Sequence, residues 1–306
     1  MKSKTISFRT LSKNRYDPHT MTHKHTRQQG LSDRLFFVCM SLLGGSYVLL
    51  IILLLVADSA YMLQGSGWHE VLFENPMIRA LAKPEIRYSI VLSLVSCTLA
   101  AVLSLFVAVP MGWLLSRLRF RGRNLIDAIL DIPIVLPPLV VGLSLLILFQ
   151  FWPFTAKLPI LGKSLNELIV YQVPAVVLAQ FAVAAAFAVR TMKATFDGIN
   201  PRCEQVALTL GCSRAQSFMR VALPEAARGM LTAFTLAWAR ALGEFGPLLI
   251  FAGATRNKTE VLSTTVFLEL SIGDLEAAVA VSLIMVFAAV AVLLITRIWG
   301  AKDVMV

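Results

Sequence analysis

Residues 200–224 read N-P-R-C-E-Q-V-A-L-T-L-G-C-S-R-A-Q-S-F-M-R-V-A-L-P, and they lie between two long apolar runs. Asn200-Pro201 is a helix-start signal, because an Asn side chain caps the free N–H groups of a first turn and proline lacks a donor that would go unpaired there. Cys203 to Leu210 has helical composition, Gly211 interrupts it, and Ser213 can cap a second short helix through Phe218, ahead of Leu223-Pro224. The stretch reads as a helix, a glycine turn and a helix. Connections between packed helices are usually far shorter than the segment from Arg190 to Leu223, so its length predicts a function.

The runs on either side make the bilayer the solvent. Apolar residues are 57% of the 306 and charged residues only 15%, which does not describe a soluble protein. A helix needs roughly 20 apolar residues to cross a core about 30 Å thick. Six stretches qualify: Leu35 to Ala57, Tyr88 to Ser116, Ile132 to Trp152, Val173 to Val189, Met230 to Ala252 and Ala277 to Ile295. The third carries Pro133, Pro137 and Pro138, and the fifth holds Arg240 and Glu244. If the N-terminus is inside, 20 of the 28 Lys and Arg fall on cytoplasmic segments and 7 on external loops, as the positive-inside rule requires. The expected fold is therefore an all-α integral membrane protein with six transmembrane helices and both termini cytoplasmic.

This places residues 1–34 as a disordered basic cytoplasmic tail, 35–85 as a first transmembrane helix with its external loop, 86–296 as the main transmembrane domain, and 297–306 as a short cytoplasmic tail. Lys2, Lys4, Arg9, Lys13 and Arg15 are expected to touch anionic membrane lipid, at about 1 kcal/mol each. The net charge of +10 sits in short clusters between uncharged runs, a pattern of topology rather than of nucleic-acid binding. No Ser/His/Asp, Cys/His or metal-ligand constellation stands on one side of the membrane, so neither catalytic nor metal residues are expected. Gly162-Lys163-Ser164 resembles the end of a phosphate loop, but Lys157 stands where its first glycine should be.

At the quoted segment the chain resembles the type I ABC importer permeases, whose cytoplasmic loop reads E-A-A, three residues, G, nine residues, I-x-L-P. Here Gln205-Val206-Ala207, three residues, Gly211, nine residues and Val221-Ala222-Leu223-Pro224 keep the spacing, while Glu204 supplies an acid one residue early. The resemblance implies that this coupling-helix loop, with Glu204, Gln205, Ala207, Leu210, Gly211, Ser213, Leu223 and Pro224, docks on a separate ABC ATPase subunit. It also implies ATP and magnesium on that partner, no cofactor on this chain, a second permease copy forming a homodimer, and an extracytoplasmic oxyanion-binding protein.

D-I-P-I-V-L-P-P-L-V-V-G (131–142), A-R-A-L-G-E-F-G-P-L-L-I-F-A-G (239–253) and K-T-E-V-L (258–262) look like the molybdate and tungstate permeases, with the sulfate permeases close behind. The implied cargo is a tetrahedral oxyanion, molybdate or tungstate first and sulfate or thiosulfate as the alternative. Proline leaves backbone carbonyls unpaired, and broken helices commonly line transport routes. Pro137, Pro138, Gly142, Arg240, Glu244 and Gly246 are thus candidates for the translocation path or gate. Arg240 and Glu244 are spaced for an intrahelical ion pair, which relieves the cost of charge at mid-membrane. An ATP-independent secondary transporter is the rival of another class; it predicts a proton relay or an inverted repeat, and the sequence offers neither beyond that pair.

Overall fold

The computed structural model describes residues 18–64, 76–157 and 162–302, and apart from one isolated bridge between Lys157 and Ser164 its regular elements are helical. The chain divides into two units, Met1–Ala60 and Tyr61–Val306. The first is occupied by one long helix, α1 (Pro18–Gln64), which runs just past the unit's end. Its stretch Phe36–Tyr61 is exposed on every face, the condition of a helix solvated by lipid. Residues 1–17 of the expected tail lie outside the described residues. From Pro18 onward the chain is helical, where the sequence reading expected a disordered tail up to residue 34. Proline at a first turn forfeits no bond, and between it and Leu35 no further proline interrupts the helix.

The second unit contains α2 (Pro76–Ala82), α3 (Pro84–Arg117), α4 (Arg123–Val135), α5 (Pro138–Leu148), α6 (Leu165–Ile169), α7 (Val173–Gly198), α8 (Pro201–Thr209), α9 (Arg214–Ser217), α10 (Leu223–Glu225), α11 (Ala227–Leu242), α12 (Leu262–Ser271) and α13 (Leu275–Lys302). Its core is the mutual packing of α3, α7 and α11. Along α3 most buried positions are small, namely Ser89, Ser93, Ser96, Cys97, Ala100, Ala101, Ser104, Ala108 and Gly112, with Ile86, Leu92 and Leu115 the larger ones. With lipid on the outside there is little hydrophobic gain in pairing helices, so close backbone approach and dispersion hold them together. A Cβ on Gly112 would lie 2.8 Å from the backbone of Met192 and Lys193, which shows how tightly α3 and α7 cross.

The six expected crossings are realised unevenly. Among the described residues, four helices are long and apolar enough to span: Phe36–Tyr61, Pro84–Arg117, Val173–Gly198 and Leu275–Ile298. The third span is broken at its prolines, as Pro137-Pro138 led one to expect, into a pair, α4 and α5, bent by 110° at Leu136-Pro137. Neither Pro137 nor Pro138 can donate to a preceding turn, so the first helix stops and Pro138 starts the second. The expected fifth span is broken as well. α11 is 16 residues long and ends at Gly243, and after Gly246-Pro247 only a π-helical turn, Leu248–Ala252, follows.

The fourth span, in contrast, runs past its expected end at Val189 to Gly198. Arg190 and Lys193 would be costly in an apolar helix, but Asp127 and Asp131 of α4 neutralise them. The connection that follows this helix therefore begins at Ile199, not at Arg190.

Candidate functional site

The segment 199–224 folds as a helix, a left-handed glycine and a helix. Asn200 Oδ1 accepts from the Arg202 N–H at 3.1 Å, with Pro201 at the first turn of α8. Gly211 takes φ +92°, a region that costs an L side chain roughly 1–2 kcal/mol, and a Cβ there would meet nothing within 4 Å. Ser213 and Gln216 then form a reciprocal capping box at α9, each side chain accepting from the other residue's N–H. Past α9 a π-helical turn, Phe218–Ala222, leads into Leu223-Pro224 and α10.

The outer face of this loop is apolar and open. Leu210 is 80% exposed and Val206 56%, a surface that water alone does not favour. Gln205, Ser213 and Pro224 are exposed too, while Ala207 and Leu223 are half-buried. Glu204 does not lie on that face and is buried. One residue along a helix is a turn of about 100°, and the acid one position early points into the protein. Its carboxylate accepts from Arg117 Nε at 2.8 Å and from Trp113 Nε1 at 3.1 Å, both on α3. Arg117 Nη2 also donates to the Ile199 carbonyl at 3.0 Å, and Ser217 Oγ to the Glu204 carbonyl at 3.2 Å.

Three of the path candidates, Pro138, Gly142 and Gly246, meet at one crossing. A Cβ on Gly142 would lie 2.7 Å from Pro247 Cα, and one on Gly246 would lie 2.9 Å from both Leu139 N and Pro138 Cβ. The break between α4 and α5 thus seats on the break after α11, with Pro138, Gly142, Gly246 and Pro247 in contact and Pro137 one residue away. Arg240 and Glu244 stand just before it, with Arg240 Nη1 2.6 Å from Glu244 Oε2. Glu244 is 1% exposed, and the Arg240 guanidinium also lies over the Phe187 ring, 5.5 Å from its centroid.

Three charged groupings escaped the sequence reading. Asp131 bonds both Arg190 Nε and Nη2, and Asp127 takes Lys193 at 2.6 Å. On the opposite side of the unit, Glu269 is fully buried between Lys83 and Arg256, and Lys83 also reaches Asp274 at 2.9 Å. The Asp274 bond raises the Lys83 pKa, while the Ala277 N–H and then Lys83 lower that of Asp274. Beside them Glu260 is 0% exposed, neither of its carboxylate oxygens has a hydrogen-bond partner among the described residues, and burial pushes its pKa up.

Residues 108–301 match the family model described as "Binding-protein-dependent transport system inner membrane component". The chain belongs to this family. It is a permease subunit of an ABC transporter, a multi-pass inner-membrane component without a catalytic role of its own. Among curated relatives, the sulfate transport system permease protein CysT of Escherichia coli is 33% identical over 263 residues, 86% of this chain and 88% of the relative. A probable molybdenum ABC transporter permease protein of Haloferax volcanii is 37% identical over 210 residues, 69% of this chain and 74% of the relative. The permease fold is also that of a bacterial alginate ABC transporter solved with its alginate pentasaccharide-bound periplasmic protein, at TM-score 0.68 and 14% identity, covering 91% of this chain and 98% of the other.

Proposed function

We propose that two copies of this permease form the translocation path of an ATP-driven importer for a tetrahedral oxyanion, molybdate or tungstate. In this reading the chain passes the membrane six times, through α1, α3, the bent α4–α5 pair, α7, the broken segment from α11 to Ala252, and α13, with both termini cytoplasmic. ATP and magnesium are held by a separate ATPase subunit, and an external binding protein delivers the anion.

The observation that carries the proposal is the exposed apolar face of Val206 and Leu210 on a short capped helix beside Gly211. A short helix with small and apolar residues outward fits a groove on another protein, and the glycine allows a close backbone approach. Closure of an ATPase pair would draw two such loops together. The helices rooted behind them would carry the motion to the crossing of Gly142 with Gly246, so that the two access states bind the anion differently.

Sulfate remains the second reading, favoured by the longer span of similarity to the sulfate permease, 86% of this chain against 69% for the molybdenum one. Uptake of labelled molybdate, tungstate and sulfate into proteoliposomes holding permease, ATPase and binding protein separates the two. Preference for sulfate overturns the first reading, and uptake that persists without ATP overturns both. Gly211→Val should leave ATP hydrolysis running while abolishing uptake.

A further inference from the structure

Glu204 is the only acid of the loop, and it is spent inside the chain. We propose that Glu204, Arg117 and Trp113 form a clamp that transmits movement of the ATPase-facing loop to the long helix α3, so that Glu204 is a positioning residue for transport and not a contact for the ATPase. This rests on the functional reading above, since it assumes that the loop is gripped from outside.

The geometry gives the clamp three attachments at one point. The Glu204 carboxylate uses one oxygen for Arg117 Nε and the other for Trp113 Nε1, so both are fixed to the last turns of α3. The same guanidinium holds the Ile199 carbonyl, where α7 ends and the loop begins. The main chain of Glu204 is tied in turn to α9 through Ser217. Both charged side chains are largely withdrawn from water, at 14% exposure for Arg117 and 11% for Glu204, so neither salt nor solvent competes strongly for them. The Trp113 ring packs edge-on against Phe218, 5.2 Å between centroids, closing the same junction from the second helix of the loop.

A planar guanidinium that binds a carboxylate and a carbonyl together resists rotation in a way a lysine does not. Displacing α8 must therefore displace the end of α3. That helix runs 34 residues from Arg117 to Pro84 and packs along α7 and α11, so a pull at its cytoplasmic end reaches the opposite end of the unit. Gln205, Val206 and Leu210 remain outward for the partner.

The test uses the assembled permease, ATPase and binding protein in lipid, reading retention of the ATPase on purification and the ratio of anion taken up to ATP hydrolysed. Glu204→Gln and Arg117→Gln should each keep the ATPase bound and cut that ratio at least tenfold, Arg117→Lys less. The exchanged pair, Arg117→Glu with Glu204→Arg, should recover part of the loss. If the single variants do not assemble, Trp113→Phe keeps the ring against Phe218 and removes only the donor; it should lower the ratio several-fold, and an unchanged ratio refutes the clamp. Loss of the ATPase in Glu204→Gln but not in Arg117→Gln would make Glu204 a docking contact and overturn the proposal. A wild-type complex that binds no ATPase refutes the functional reading and the clamp together, whereas unaltered coupling in the variants of a coupled wild type refutes the clamp alone.

Discussion

Gly142→Ala adds one methyl group where the structure leaves no room for it. The new Cβ would stand 2.7 Å from Pro247 Cα and 3.0 Å from its carbonyl oxygen. Carbon atoms in ordinary contact are about 3.5 to 4.0 Å apart, so the crossing must open by about 1 Å. The obstructing atoms are backbone and cannot rotate away. Overpacking of this kind costs roughly 1–3 kcal/mol. If the crossing is part of a gate, that cost falls on the state in which the two breaks are seated together, which moves the balance between states by about 5- to 150-fold. Uptake into proteoliposomes should fall, and basal ATP hydrolysis without binding protein should change with it. Gly198→Ala is the control, because its Cβ would meet nothing within 4 Å at the end of α7. Wild-type uptake, ATP hydrolysis and thermal stability in Gly142→Ala would show that the crossing does not gate.

Gly246→Ala meets the same crossing from the other side, so the double variant should cost less than the sum of the two singles, measured as loss of thermal stability in detergent. Arg240→Ala leaves the 1%-exposed Glu244 without its cation and should destabilise the protein by about 3–5 kcal/mol, whereas removing both charges should cost less, as detergent unfolding curves would show. Unaltered transport in the paired Ala variant would make the pair structural only. Glu260 should give the stability of the protein a pH dependence of definite sign. Its folded pKa lies above the unfolded value, so the folded state binds the extra proton and stability falls as pH rises from the unfolded pKa through the folded one. Glu260→Gln should flatten that slope in unfolding measured from pH 4 to 8, and a slope unchanged by the substitution would refute the assignment.

The glycine-hinged loop was legible because its signals are local: Asn200-Pro201, Gly211 and Ser213 act within a few residues, and each does in the structure what its chemistry demands. The long spans were legible for the same reason, since twenty apolar residues constrain a helix whatever surrounds it. The angles of the third and fifth crossings were not, because Pro137-Pro138 and Gly243 to Pro247 permit a break without fixing its angle. The angle is set by the seating of one break on the other, a contact between residues more than 100 apart in sequence. The direction of Glu204 was hidden for a different reason: a spacing pattern locates an acid along the chain, but a single step turns it through about 100°, and only Arg117 and Trp113 decide which side it faces. The path candidates converged because glycine and proline mark close approach, whereas the Asp127, Asp131, Arg190 and Lys193 group joins two helices and carries no pattern within either alone.

Labelling of Cys203 with a membrane-impermeant maleimide tests most directly whether a partner grips the loop. Cys203 is exposed on α8 beside Glu204 and Gln205, while Cys97 is buried in the helix core. Inside-out vesicles stripped of the ATPase should label at Cys203, and adding the ATPase back should protect it. Labelling from outside intact cells, or labelling that the ATPase leaves unchanged, would contradict the account.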